Sequence, residues 1–142
     1  MKSIPSWPFK RGRLLALTLV LGGFALAGCS QTASEADAVG LETVRAELEA
    51  GRAVLIDIRE PSEHATGVAA GARLLPMRQI TARQAEIPVD VNQPVLLICH
   101  TQNRSGATLR ALREHGYGNV RFVTGGMSEW ARRGWPMVKP GT

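Results

Sequence analysis

The residues able to do covalent chemistry gather in one stretch, Cys99-His100-Thr101-Gln102-Asn103-Arg104-Ser105. An apolar run, Pro94-Val95-Leu96-Leu97-Ile98, precedes it, and a helical pattern from Ser105 to His115 follows. A cysteine placed where a buried strand ends and a helix begins lies near converging backbone N–H groups and the positive end of the helix dipole. A free thiol has a pKa of about 8.5, and helix N-termini and neighbouring cations lower such values to roughly 3.5 to 7.5. This setting favours a nucleophilic Cys99, and Arg104 adds a fixed positive charge to the same loop. Free cysteine is also among the most buried residue types, so an inert strand-end thiol is the alternative reading. His100 is either an acid–base group or a loop residue turned outward, since no pattern orients its ring.

The flanking pattern supplies the elements that must position this loop. Leu41, Val44 and Leu48 share one face of a helix that Gly51 stops. Ala53 to Ile58 is a nearly continuous apolar run of strand length, as expected of a strand covered on both faces of a parallel sheet. Glu60 to His64 starts a short helix with Pro61 in its first turn. Gly67 to Gly71 reads as a turn, Ala72 to Leu75 as a short strand, Met77 to Ile87 as a short helix and Pro88 to Pro94 as a loop. Val95 to Ile98 is the strand that carries Cys99, and the helix after it ends at His115-Gly116. Val120 to Val123 is another strand, Gly126 to Arg133 another helix, and Gly134-Trp135-Pro136 a terminal clasp.

Strands alternating with helices in this way predict an α/β domain with a mainly parallel sheet, which binds ligands beyond the carboxyl ends of its strands. Asp57 and Cys99 both lie at such ends, so residues far apart in sequence come to line one pocket. A carboxylate beside a thiolate opposes its ionisation, so Asp57 reads as a loop-holding residue rather than a catalytic one. Arg59 is either a solvated arginine or a cation that attracts an anionic substrate. His64 and His115 read as surface residues at helix ends, and Trp130 and Trp135 as packing anchors.

The 142 residues carry a formal net charge of +5, which by itself suggests an anionic partner. The distribution of the charge points elsewhere. Lys2, Lys10, Arg11 and Arg13 lead into an apolar run from Leu14 to Ala27, the pattern of a secretory signal peptide over residues 1–28. Removing it takes away four of the 17 basic residues and none of the 12 acidic ones, leaving 13 basic against 12 acidic. No nucleic-acid partner is expected of such a remainder. An uncleaved anchor is the alternative, but the run is shorter than the roughly 18 to 20 residues a spanning helix needs. Ser30 to Val39 is small and polar and reads as a tether, giving a tether over 29–39 and a domain over 40–142. With only two cysteines, C-x-x-C redox and zinc readings fail for want of ligands, and neither metal nor cofactor is expected.

Three separated motifs now stand in order: Asp57-Ile58-Arg59-Glu60, Cys99 to Ser105, and Thr124-Gly125-Gly126-Met127-Ser128-Glu129-Trp130. Together they resemble the single-domain rhodaneses. The resemblance implies a three-layer α/β domain, with a mainly parallel central sheet flanked by helices, and a sulfurtransferase whose Cys99 becomes a persulfide. Sulfane sulfur would pass from thiosulfate, or a related small anionic donor, to cyanide or a thiol. His100, Thr101, Gln102, Asn103, Arg104 and Arg59 would bind the donor, with Asp57 and Ser105 as structural support. Many family members carry glycine where this chain has Gln102, and Gly-His-Ile where it has Gly67-Val68-Ala69.

Related phosphatases and arsenate reductases need C-x5-R around a tetrahedral oxyanion, whereas Cys99 to Arg104 is C-x4-R. A non-catalytic rhodanese-like binding module at the cell envelope is the alternative from another class. The ending Leu26-Ala27-Gly28-Cys29 resembles a bacterial lipobox, which implies lipidation of Cys29 and attachment to the membrane by that lipid alone; the domain itself is expected to be monomeric. Ser30 after the cysteine implies a periplasm-facing position at the outer membrane in a cell with two membranes.

Overall fold

The computed structural model describes residues 34–140. The expected signal segment and residues 29–33 of the tether, Cys29 among them, therefore lie outside the described residues. A 3-10 turn at Glu35–Asp37 leads into strand β1, Ala38–Val39. The composition assigned these residues to the tether, yet Ala38 and Val39 pair in parallel with Phe122 and Val123 and close one edge of the sheet.

Helix α1, Leu41–Glu49, follows, and then strand β2, Val54–Asp57, every residue of which is buried. Short helix α2, Pro61–His64, carries its proline in the first turn, where the missing N–H leaves no bond unmade. Strands β3, Val68–Ala69, and β4, Arg73–Leu74, come next. The expected turn at residues 67–71 thus contains two strand residues, because β3 pairs antiparallel with β7, Met137–Val138. The expected helix at residues 77–87 is two 3-10 turns, Met77–Gln79 and Gln84–Glu86. Its apolar residues lack a 3.6 period, so no continuous face exists to bury; Ile80 and Ile87 instead fill the core singly.

Strand β5, Val95–Ile98, is also buried throughout and leads through the Cys99 loop into helix α3, Asn103–Glu114. Strand β6, Val120–Val123, and helix α4, Gly126–Arg132, complete the main layers. The sheet order is β1-β6-β5-β2-β4, parallel at every pairing.

Alternation along the central strands divides the core into two sides. Ile56, Leu97 and Cys99 join Leu109 and Leu112 of α3 on one face. Leu55, Leu96 and Ile98 meet Val44 of α1 and Met127 and Trp130 of α4 on the other. The result is the three-layer arrangement expected, with apolar side chains on both faces of the strands that end at Asp57 and beside Cys99. Trp130 packs edge-on against Trp135, with centroids 4.9 Å apart, and donates its indole N–H to the Pro136 carbonyl at 3.1 Å. Both tryptophans serve packing, as expected.

Candidate active site

The loop is shaped from below by α4. The amide of Met127 donates to the Cys99 carbonyl and that of Ser128 to the His100 carbonyl, each at 2.9 Å. In a trans peptide the C=O and the next N–H point in opposite directions. Fixing these two carbonyls on α4 therefore turns the amides of His100 and Thr101 away from it. The Gln102 carbonyl accepts from the Gly106 amide and the Ser105 hydroxyl, which orients the Asn103 amide in the same manner. Among the described residues, the N–H groups of His100 through Arg104 donate to no protein acceptor. The Cys99 side chain belongs to the α3 side of the core, opposite α4. Sulfur and free amides thus share one side of the loop.

Close approach of α4 requires glycine. Gly126 has φ +59°, and a Cβ built there would lie 2.3 Å from the Thr101 oxygen, 2.5 Å from that of His100 and 2.6 Å from that of Cys99. The Gly125-Gly126 pair is what seats the loop on the helix. Gln102, at the loop position where the resemblance implied glycine, adopts φ −157° and ψ −14°, outside the left-handed region that calls for glycine. Its Oε1 accepts from the Gly125 amide at 3.1 Å, so the residue pins the loop from a second direction.

Cys99 is 1% exposed, and its Sγ lies 3.5 Å from the Ser105 hydroxyl, placing Ser105 as the polar neighbour of the sulfur. His100, Thr101, Gln102 and Asn103 form the exposed lip of the loop.

Arg104 is held by a residue that the sequence did not single out. Its Nη1 and Nη2 donate to the two carboxylate oxygens of Glu63 on α2, at 2.7 and 2.6 Å. The paired hydrogen bonds hold the Glu63 carboxyl down to about 2, well below its usual 4.5, and raise the Arg104 guanidinium further above its ordinary range. Glu63 also receives the Glu60 amide, so α2, its capping turn and the Cys99 loop are linked.

Arg59 departs from the expectation of a donor-binding cation. It is 4% exposed, and its guanidinium donates to both oxygens of Asp57 and to the carbonyls of Glu63 and Gly67. All three nitrogens of its guanidinium donate inside the protein, which makes it the support of the β2–α2 turn. Asp57 is fully buried beneath it and also accepts the Arg59 amide. His64 is corrected too: it is 4% exposed, with Nε2 3.4 Å from Asp57, because α2 folds over the end of β2. His115 lies at a helix end on the surface, as expected. Glu63 was legible only as a polar residue on a short helix; its partner is 41 positions away. Among the described residues, no group of acidic, histidine and cysteine side chains is arranged to hold a metal.

Residues 41–133 match the rhodanese-like domain family, and the chain belongs to that family. It is 41% identical over 87 residues to a sulfurtransferase of Allochromatium vinosum, spanning 61% of this chain and 79% of that protein. Its structure is similar to that of a human single-domain sulfurtransferase, with TM-score 0.60 at 25% identity, over 68% of this chain and 96% of that one. A thiosulfate sulfurtransferase of Pseudomonas aeruginosa is similar with TM-score 0.65 at 27% identity, over 74% of this chain and 20% of that one.

Proposed function

We propose that the protein is a rhodanese-type sulfurtransferase that moves sulfane sulfur from thiosulfate, or a related donor, to cyanide or a thiol through a persulfide on Cys99. The observation that carries the reading is the shared side of the loop, where the buried Cys99 sulfur sits with the unpaired amides of His100 through Arg104. The family and its sulfurtransferase-named relatives support the same reaction class.

In the first step the Cys99 thiolate attacks the outer sulfur of the donor. The donor S–S bond breaks, and sulfite leaves with the bonding pair when the donor is thiosulfate. In the second step cyanide or a thiolate attacks the outer persulfide sulfur, and the electron pair returns to Cys99 as thiolate. The loop amides stabilise the anionic sulfur in both steps, because they are already aimed and need no reorganisation. The Ser105 hydroxyl, whose proton goes to the Gln102 carbonyl, accepts from the resting Cys99 thiol. Neither step needs a cofactor.

Initial rates measured with thiosulfate and cyanide both varied test this scheme. Parallel double-reciprocal lines are expected of a covalent sulfur carrier; intersecting lines contradict it. Absence of turnover together with absence of a sulfur adduct would favour the binding-module alternative.

The placement of the enzyme is part of the proposal. Lys2 to Arg13, the apolar run and Cys29 support a lipid-anchored, periplasm-facing domain, at the outer membrane where the cell has two membranes. The domain works as a monomer on small molecules and takes no nucleic acid. Cys29→Ala should abolish lipid labelling and leave sulfur transfer intact.

A further inference from the structure

Three arginines that the fold brings to the Cys99 end of the sheet each stand beside an acid. Arg104 gives both ends of its fork to Glu63. Arg59 is spent on Asp57 and two carbonyls. Arg78 lies on the 3-10 turn at Met77–Gln79, which the Met77 amide fastens to the Ile58 carbonyl just beyond β2. Its guanidinium stands 3.8 Å from Glu60. Arg59 and Arg104 are therefore spent on carboxylates, Arg78 stands in solvent on the rim with its side chain 84% exposed, and the loop itself adds His100. What is left for an anion is the set of amides from His100 to Arg104 beside the sulfur.

Amides aimed at one point serve one centre of negative charge. A second charge on the same donor meets Arg59 and Arg104 only as partners already bound to carboxylates, with Glu63 and Glu60 acting on Arg104, and the exposed Arg78 offers it little against solvent. On the basis of the sulfurtransferase reading above, we infer that the Cys99 site selects donors whose sulfane sulfur carries a single negative charge, the class of organic persulfides and thiosulfonates, over the dianion thiosulfate. The transfer balances without an oxidant: Cys99–S⁻ and R–S–S⁻ give Cys99–S–S⁻ and R–S⁻, as the sulfane sulfur moves between two thiolates.

Methanethiosulfonate is the matched probe, since a methyl group replaces one oxygen of thiosulfate and removes one charge. The rate of Cys99 persulfidation in the full chain is measured with each donor and divided by the rate of that donor with a small free thiol. This correction removes the difference in leaving group. The normalised rate with methanethiosulfonate should exceed that with thiosulfate by about tenfold or more, the scale of one charged contact. Ionic strength should change either rate little, because the local charges cancel.

Glu63→Gln releases Arg104 from its partner and should move the ratio toward thiosulfate by about tenfold. The ratio is read within one variant, so a general loss of activity does not disturb it. Should Glu63→Gln not fold, the wild-type ratio decides alone. A normalised preference for thiosulfate in the wild type, or an unchanged ratio in a folded Glu63→Gln protein, overturns the inference and leaves the sulfurtransferase reading standing. If neither donor adds sulfur to Cys99, that reading falls and the inference falls with it.

Discussion

Two arginine–carboxylate pairs frame the Cys99 loop, and they differ in kind. Asp57 and Arg59 are two residues apart, and their side chains are 0% and 5% exposed, beneath α2. Glu63 and Arg104 are 41 residues apart, and their side chains are 29% and 31% exposed. The first pair is closed on all sides, with its remaining donors satisfied by the Glu63 and Gly67 carbonyls, so it builds the floor of the site. The second joins two elements that share no backbone hydrogen bonding and sets where the loop stands. A buried pair is unforgiving when broken, because the surviving charge is stranded; a half-exposed pair loses little, because water replaces the partner.

That contrast is broken most severely at Asp57. Asp57→Ala leaves Arg59 buried without its carboxylate and should cost about 3 to 5 kcal/mol of stability, measured by denaturant unfolding. A loss below about 1 kcal/mol would show that the floor is not built on this charge.

Gly126→Ala tests the support on the opposite side of the loop. The added Cβ would meet three loop carbonyls within 2.6 Å at a left-handed backbone position. A cost of about 2 kcal/mol or more is expected, together with loss of sulfur transfer as the carbonyls leave α4. Unchanged stability and turnover would mean that α4 does not fix the loop.

Glu63→Gln should cost only about 1 kcal/mol in stability near neutral pH. Its pH dependence gives the sharper test. The folded Glu63 carboxyl is held down to about 2 against 4.5. Its contribution is therefore complete above 4.5 and is lost as the pH falls through 2, where the folded carboxylate is protonated. The advantage of wild type over Glu63→Gln should stay level from neutral pH down to the usual carboxylate range and shrink below it. A decline already present between pH 8 and about 6 would contradict the assignment.

The smallest effect is expected on the outer surface. Arg45 pairs with Glu49 and stacks over Trp135 at 5.2 Å, but its side chain is 41% exposed. Arg45→Ala should change stability by no more than about 1 kcal/mol and leave sulfur transfer unaltered.

What could be read from the sequence divides along the same line as the two pairs. Local patterns were legible: the apolar runs at 53–58 and 95–98 became β2 and β5, and Pro61 opened α2. Asp57 and Cys99 stood at strand ends as expected. Partnerships across the fold were not legible. Arg59 has the same composition whether it faces a substrate or Asp57, and only the closure of α2 over β2 decides the matter. Glu63 gave no signal for Arg104, and β1 and β3 were missed because two-residue strands are too short to show a period.

The central claim, that sulfur is carried on Cys99, is tested most directly by the intact mass of the protein after exposure to a sulfane-sulfur donor and removal of the excess. The wild-type protein should gain the mass of one sulfur atom, lose it on addition of cyanide and release an equal amount of thiocyanate. Cys99→Ser, folded to the same stability within about 1 kcal/mol, should gain nothing, because oxygen fills the space but forms no persulfide. A sulfur adduct on Cys99→Ser that cyanide discharges, or a wild-type protein that turns over without ever carrying one, would contradict the account.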